Sequence, residues 1–93
     1  MSDMLEVLRT DIAECDREIM VILRKRLDLA ISIGKYKAEH GMEAHNPSVE
    51  KRVIERYREI AVELGMNPDI AERICRCIME ESVANEEAVI DKV

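Results

Sequence analysis

The chain has 93 residues, enough for one hydrophobic core and not for two. Hydrophobic residues make up 47% and charged residues 37%, a globular rather than a disordered balance, and Tyr36 and Tyr57 are the only aromatics. The net charge of −6 argues against a nucleic-acid or anionic-membrane partner, each of which needs a basic face, yet leaves room for a small anion held by a few local cations.

The core must therefore come from Ile, Leu, Val, Met and Ala, and with three Gly and two Pro little of the chain is punctuation. Residues 1–93 read as a single all-helical domain. Cys15, Cys75 and Cys77 read as small core or surface thiols in a reducing compartment. Residues 75 and 77 sit about 200° apart on a helix, so they cannot share a metal. Charges crowd the first 20 residues, from Asp3 and Glu6 to Arg17 and Glu18. Such a segment is neither a secretory leader nor a membrane span, and a cytoplasmic protein is expected.

The first predicted helix opens at Asp3, an N-cap residue with Glu6 at the capping-box spacing. Leu5, Leu8, Ile12, Cys15, Ile19, Ile22, Leu29 and Ile33 then recur in a three-four rhythm, the seam of a helix that packs along its whole length. It closes at His40 with Gly41 as the C′ residue. After a loop over Met42 to Ala44, Asn46-Pro47 starts a second helix whose stripe is Val49, Val53, Ile54, Tyr57, Ile60, Ala61 and Leu64, ended by Gly65. Asn67-Pro68 repeats the start signal. The third helix runs through Ile70, Ile74, Cys77 and Ile78 and is expected to fray after Val89.

A helix over residues 3–40 is about 57 Å long. A compact chain of this size has a radius of gyration of only about 12 Å. Part of the apolar seam must then be covered by another chain, and a homodimer is expected on length alone.

Several residues do not fit a plain bundle. The first helix's rhythm demands an apolar residue at 26, and the sequence has Arg26. A guanidinium on a packed seam needs a partner: a carboxylate on a neighbouring helix, the water of a wet gap, or an anionic ligand. Lys37, three turns on, shares Arg26's face, or is simply a cation at a solvated helix end. Arg9 lies beside the seam and could equally pair with nearby acids. In the third helix Cys75, Met79, Ser82 and Glu86 form one stripe that turns polar, either fraying into solvent or pointing Ser82 and Glu86 into one pocket. Glu50, in the first turn of the second helix, reads either as a dipole-compensating acid or as a site residue.

Together these residues carry a resemblance. Leu8-Arg9-x-x-Ile12-x-x-x-Asp16, followed by Leu23-x-x-Arg26-x-x-Leu29-Ala30-x-x-Ile33-Gly34-x-x-Lys37, resembles the first helix of the all-helical chorismate mutases. Asn46-Pro47, Glu50-Lys51-Arg52-Val53-Ile54 and Ile78-Met79-Glu80-Glu81-Ser82 continue it, from about Leu8 to Ala88. The resemblance implies three helices per chain, two long first helices packed antiparallel in an intertwined homodimer, and rearrangement of chorismate to prephenate without cofactor or metal. By the same resemblance Arg26 and the partner's Arg9 bind the two carboxylates, and Lys37 donates to the ether oxygen and a carboxylate. Glu50 takes the ring hydroxyl, Ser82 a carboxylate, and Met79 and Val83 wall the ring. Geometry agrees that Arg9 must cross: about 42 Å of helix separates it from Lys37 in one chain.

Three positions depart from the family pattern. Asn46 stands where an Asp is expected, still able to accept from the hydroxyl but uncharged. Val49 replaces a common Arg, and Glu86 replaces a Gln that donates to the ether oxygen, as in some fungal members. Two alternatives share the fold or the assembly: an isochorismate–pyruvate lyase, and a non-catalytic helical dimer. Glu86 sets a first test. An ionised carboxylate cannot donate, so turnover is expected to rise as the pH falls from about 8 to about 5. Glu86→Gln, a donor at any pH, is expected to flatten that rise in initial-rate measurements; a flat profile for the unsubstituted chain would remove Glu86 from the ether oxygen.

Overall fold

A computed structural model describes residues 3–92. They form three helices, α1 (Met4–Glu39), α2 (Pro47–Glu63) and α3 (Pro68–Asp91), with no strand among the described residues. The starts lie where the caps place them. Asp3 Oδ1 accepts from the Leu5 amide at 2.9 Å, and Asn67 Oδ1 accepts from Asp69 at 2.9 Å. Asn46 Oδ1 accepts from the amides of Ser48 and Val49 at 3.2 and 3.3 Å, and from the Ser48 hydroxyl at 2.9 Å. Each oxygen satisfies an amide that the first helical turn leaves without a partner.

Both interior ends are left-handed glycine caps, Gly41 at φ 64 and Gly65 at φ 69. Each closes with a pair of reversed bonds: Met42 N to Lys37 O at 2.8 Å with Gly41 N to Ala38 O, and Met66 N to Ala61 O at 2.7 Å with Gly65 N to Val62 O. That is the Schellman arrangement, and only glycine adopts the required conformation without strain. The third helix ends at Asp91, two residues past Val89.

Helix α3 packs against both other helices and runs parallel to the second half of α1, while α1 and α2 make no close backbone approach to each other. The buried ridge of α3 is Ala71, Cys75, Met79, Ser82 and Glu86. Helix α1 answers with only Ala30 and Gly34, and α2 with Ala61. At its start α3 is tied to α2 by Arg58, which donates to Asp69 at 3.0 Å and Glu72 at 3.1 Å.

This core is thin. The radius of gyration is 17.0 Å and the principal extents are 60 × 27 × 15 Å, far from a compact chain of this length. The seam of α1 lies open, with Ile12 62% and Ile22 62% exposed. Cys75 is fully buried and Cys77 exposed, the opposite faces expected from their spacing. Among the described residues no helix is long and apolar enough to cross a membrane. Because Asn67 caps the helix that carries most of the core, Asn67→Ala should cost about 1 kcal/mol of stability, read as a lower midpoint in urea at fixed protein concentration.

Candidate functional site

The gap that α1 and α2 leave between them, floored by α3, is a cavity of about 550 Å³. Arg26 and Lys37 reach it from α1, Asn46 and Glu50 from the start of α2, and Met79, Ser82, Val83 and Glu86 from α3. Every site residue expected from the sequence is thus brought to one place, with one exception. Arg9 is exposed and stands about 25 Å along α1 from Arg26, and it does not line the cavity.

Arg26 meets no carboxylate among the described residues. Its guanidinium donates instead to the Ser82 hydroxyl, which in turn donates to the Ile78 carbonyl at 3.0 Å. A hydroxyl orients a guanidinium without neutralising it, so the charge of Arg26 remains available inside the cavity.

Lys37 is differently placed. Its ammonium donates to Glu86 Oε1 and to the Ala44 carbonyl, both at 2.8 Å. The side chains are 16% and 9% exposed, a nearly dry ion pair. Ser82 and Glu86 are therefore buried members of the site rather than a frayed end, because α3 is pressed against α1 at that level. The carbonyl of Ala44 is available to Lys37 because the Gly41 cap folds the loop back over the end of α1.

Two residues were not singled out from the sequence, His45 and Arg56. His45 Nε2 lies 2.9 Å from Glu50 Oε2, so the imidazole holds the carboxylate expected to meet a ring hydroxyl. Arg56 lines the cavity from α2. It falls on the stripe of Val49 and Val53, a charged residue on an apolar stripe, and could have been found by the same reasoning that found Arg26. Asn46 has a task of its own: its oxygen already accepts three hydrogen bonds of the α2 cap. Acceptance from a ring hydroxyl would compete with that cap. Behind the cavity floor burial pushes the Cys75 thiol up, a shift that the nearby charges of Arg26 and Arg56 oppose. Among the described residues no cluster of His, Cys, Asp or Glu could hold a metal ion.

The cavity can bind a compact anion: cations at Arg26, Lys37 and Arg56, acceptors at Glu50 and Glu86, and apolar walls at Leu29, Ile33, Val53, Met79 and Val83. Removing the cation of the dry pair should expose its energetics. In Lys37→Met a carboxylate would remain buried without a partner, which costs about 3 kcal/mol. Thermal melts of Lys37→Met should show a lower midpoint than the unsubstituted chain, and adding Glu86→Leu, which removes the orphaned charge, should recover most of the difference.

A family model described as chorismate mutase type II matches residues 8–87. The T-protein of Haemophilus influenzae is 37% identical over 82 residues, 88% of this chain and 22% of that protein. The T-protein of Enterobacter agglomerans is 33% identical over the same length. The chain spans about a fifth of these relatives. The chorismate mutase of Methanocaldococcus jannaschii is 24% identical over 92 residues, 99% of this chain and 93% of that protein.

Proposed function

The chain belongs to the chorismate mutase type II family, and from that premise we propose that it rearranges chorismate to prephenate as an intertwined homodimer with two sites. The observation that carries this reading is the cavity of about 550 Å³ in which Arg26, without a carboxylate partner among the described residues, faces Lys37, Glu50, Ser82 and Glu86.

Chorismate is a dianion, and its rearrangement is intramolecular: a C–O bond breaks as a C–C bond forms. The protein need supply no nucleophile. It must hold the compact chair conformer and stabilise the charge that builds on the ether oxygen. Arg26, oriented by Ser82, grips one carboxylate with its planar fork. Lys37 has a third N–H beyond those given to Ala44 and Glu86, and it donates that to the ether oxygen and its neighbouring carboxylate. Glu50, steadied by His45, accepts from the ring hydroxyl. Met79 and Val83 hold the ring against rotation. Protonated Glu86 donates to the ether oxygen in the transition state, in place of the more usual amide.

Beyond the cations of its own cavity, Arg26, Lys37 and Arg56, the second carboxylate takes one more that this chain cannot bring from its own Arg9. The partner's Arg9 supplies it when two α1 helices cross antiparallel near residue 20. Support for the crossing is the open seam of α1, together with a second apolar hollow of about 570 Å³ walled by Met20, Leu23, Leu27 and Ile78. An uncovered apolar strip of that length is unfavourable in water and drives association.

The direct test is loss of chorismate absorbance with appearance of prephenate when the purified chain is added; no loss would overturn the reading. Sedimentation should give twice 10.7 kDa. Arg9→Ala and Arg26→Ala should each be nearly inactive alone. Mixed and allowed to exchange chains, they should regain activity, since each heterodimer holds one intact site. Exchange without recovery would show that Arg9 does not act across the dimer.

A further inference from the structure

Gly34 is an unexpected residue for the inside of a 36-residue helix. Glycine is the least favourable helix residue after proline. Its backbone is not left-handed, unlike Gly41 and Gly65, so the local conformation does not demand it. The demand comes from α3. A Cβ at position 34 would lie 3.0 Å from the Glu86 Cα and 3.3 Å from the Glu86 carbonyl oxygen, with Val89 Cβ at 3.4 Å. Two of these neighbours are backbone atoms, which cannot turn aside as a flexible side chain would.

The residue that α3 presses onto this gap is the one whose carboxyl reaches Lys37, one turn further along α1, at 2.8 Å. We infer that Gly34 is a positioning residue of the site: by lacking a side chain it lets the α3 backbone at Glu86 rest on α1, and so fixes the Glu86 carboxyl against Lys37 and within the cavity. Gly34 touches no substrate and acts only through Glu86. The inference rests on the proposed reaction, in which Glu86 meets the ether oxygen.

An added methyl group must push α3 away by roughly half an ångström to reach ordinary carbon–carbon contact. Misplacement of a catalytic group by about 1 Å can cost about a hundredfold in rate, so a loss of about tenfold is the expected scale. Ser82, one turn back on α3, meets Arg26 rather than Gly34. Binding through Arg26 should therefore be disturbed less than catalysis through Glu86.

The experiment compares the unsubstituted chain, Gly34→Ala, Glu86→Ala and the double variant. Helicity and assembled mass are checked for each, and the slow variants are followed with enzyme in excess. Gly34→Ala is expected to lower kcat about tenfold while KM changes less than threefold. It should also lower the melting temperature, although helix propensity alone would raise it. In the Glu86→Ala background, where no carboxyl remains to be misplaced, the same substitution should change the rate less than twofold. A kcat for Gly34→Ala within twofold of the unsubstituted chain overturns the inference and leaves the proposed reaction standing. An equal loss in both backgrounds, or a rise in melting temperature, overturns it as well. Absence of turnover in the unsubstituted chain overturns the reaction and the inference together.

Discussion

A helix of 36 residues in a chain of 93 carries more apolar surface than its two companions can cover. Helix α1 gives its own chain only Ala30 and Gly34 as buried residues, two small groups that let α3 come close but remove little hydrocarbon from water. The larger residues of the seam, Leu8, Ile12, Ile19 and Ile22, lie half or more exposed. The extended shape and the apolar seam left open to water both follow from this imbalance. So does the cavity, since α1 and α2 are held apart by α3 and enclose space instead of filling it.

The electrostatics of that space run against the chain as a whole. The protein is acidic, with a net charge of −6. Inside the cavity Arg26 has only a hydroxyl for company, Lys37 is shared between a carboxylate and a carbonyl, and Arg56 lines the wall. A low-polarity site makes each such charge count for more than it would in water. In the proposed reaction the Lys37–Glu86 pair has a double task. Before substrate arrives it neutralises two charges that would otherwise be buried alone. With substrate bound, the carboxyl must become a donor to the ether oxygen, while Lys37 turns its third N–H to the ligand.

The departures from the family pattern acquire physical content from the same geometry. Val49 removes a cation near the mouth of the cavity, while Arg56, seven residues later on the same stripe of α2, places one two turns further along. Asn46 keeps the helix-capping function of an acidic residue without its charge, and its oxygen is fully engaged in doing so. Glu50 gains the imidazole of His45 as a neighbour. The cap therefore orients Glu50 by fixing the first turn of α2, whatever Asn46 does towards a ligand.

What could be read from the residues alone was whatever depends on short stretches of chain. Asn46-Pro47 and Asn67-Pro68 start helices, and Gly41 and Gly65 end them, because caps are contacts between neighbours in sequence. Arg26 declared itself by interrupting a periodic seam, and the length of α1 showed that its own chain could not cover that seam. The fate of Ser82 and Glu86 was open in the sequence, since a stripe turning polar reads equally as a pocket or as a fraying end. Only the packing of α3 on α1 decided it, by burying both. The same packing gave Gly34 its meaning, for a helical glycine looks like a defect until another backbone is seen resting on it. His45 meets Glu50 through the turn into α2, five residues away, and Arg56 interrupts the stripe of Val49 and Val53, but that it lines a cavity was decided by the placing of α2. The meetings of Arg26 with Ser82 and of Lys37 with Glu86 join residues far apart in the chain, and they are set by how helices cross rather than by what each helix is made of.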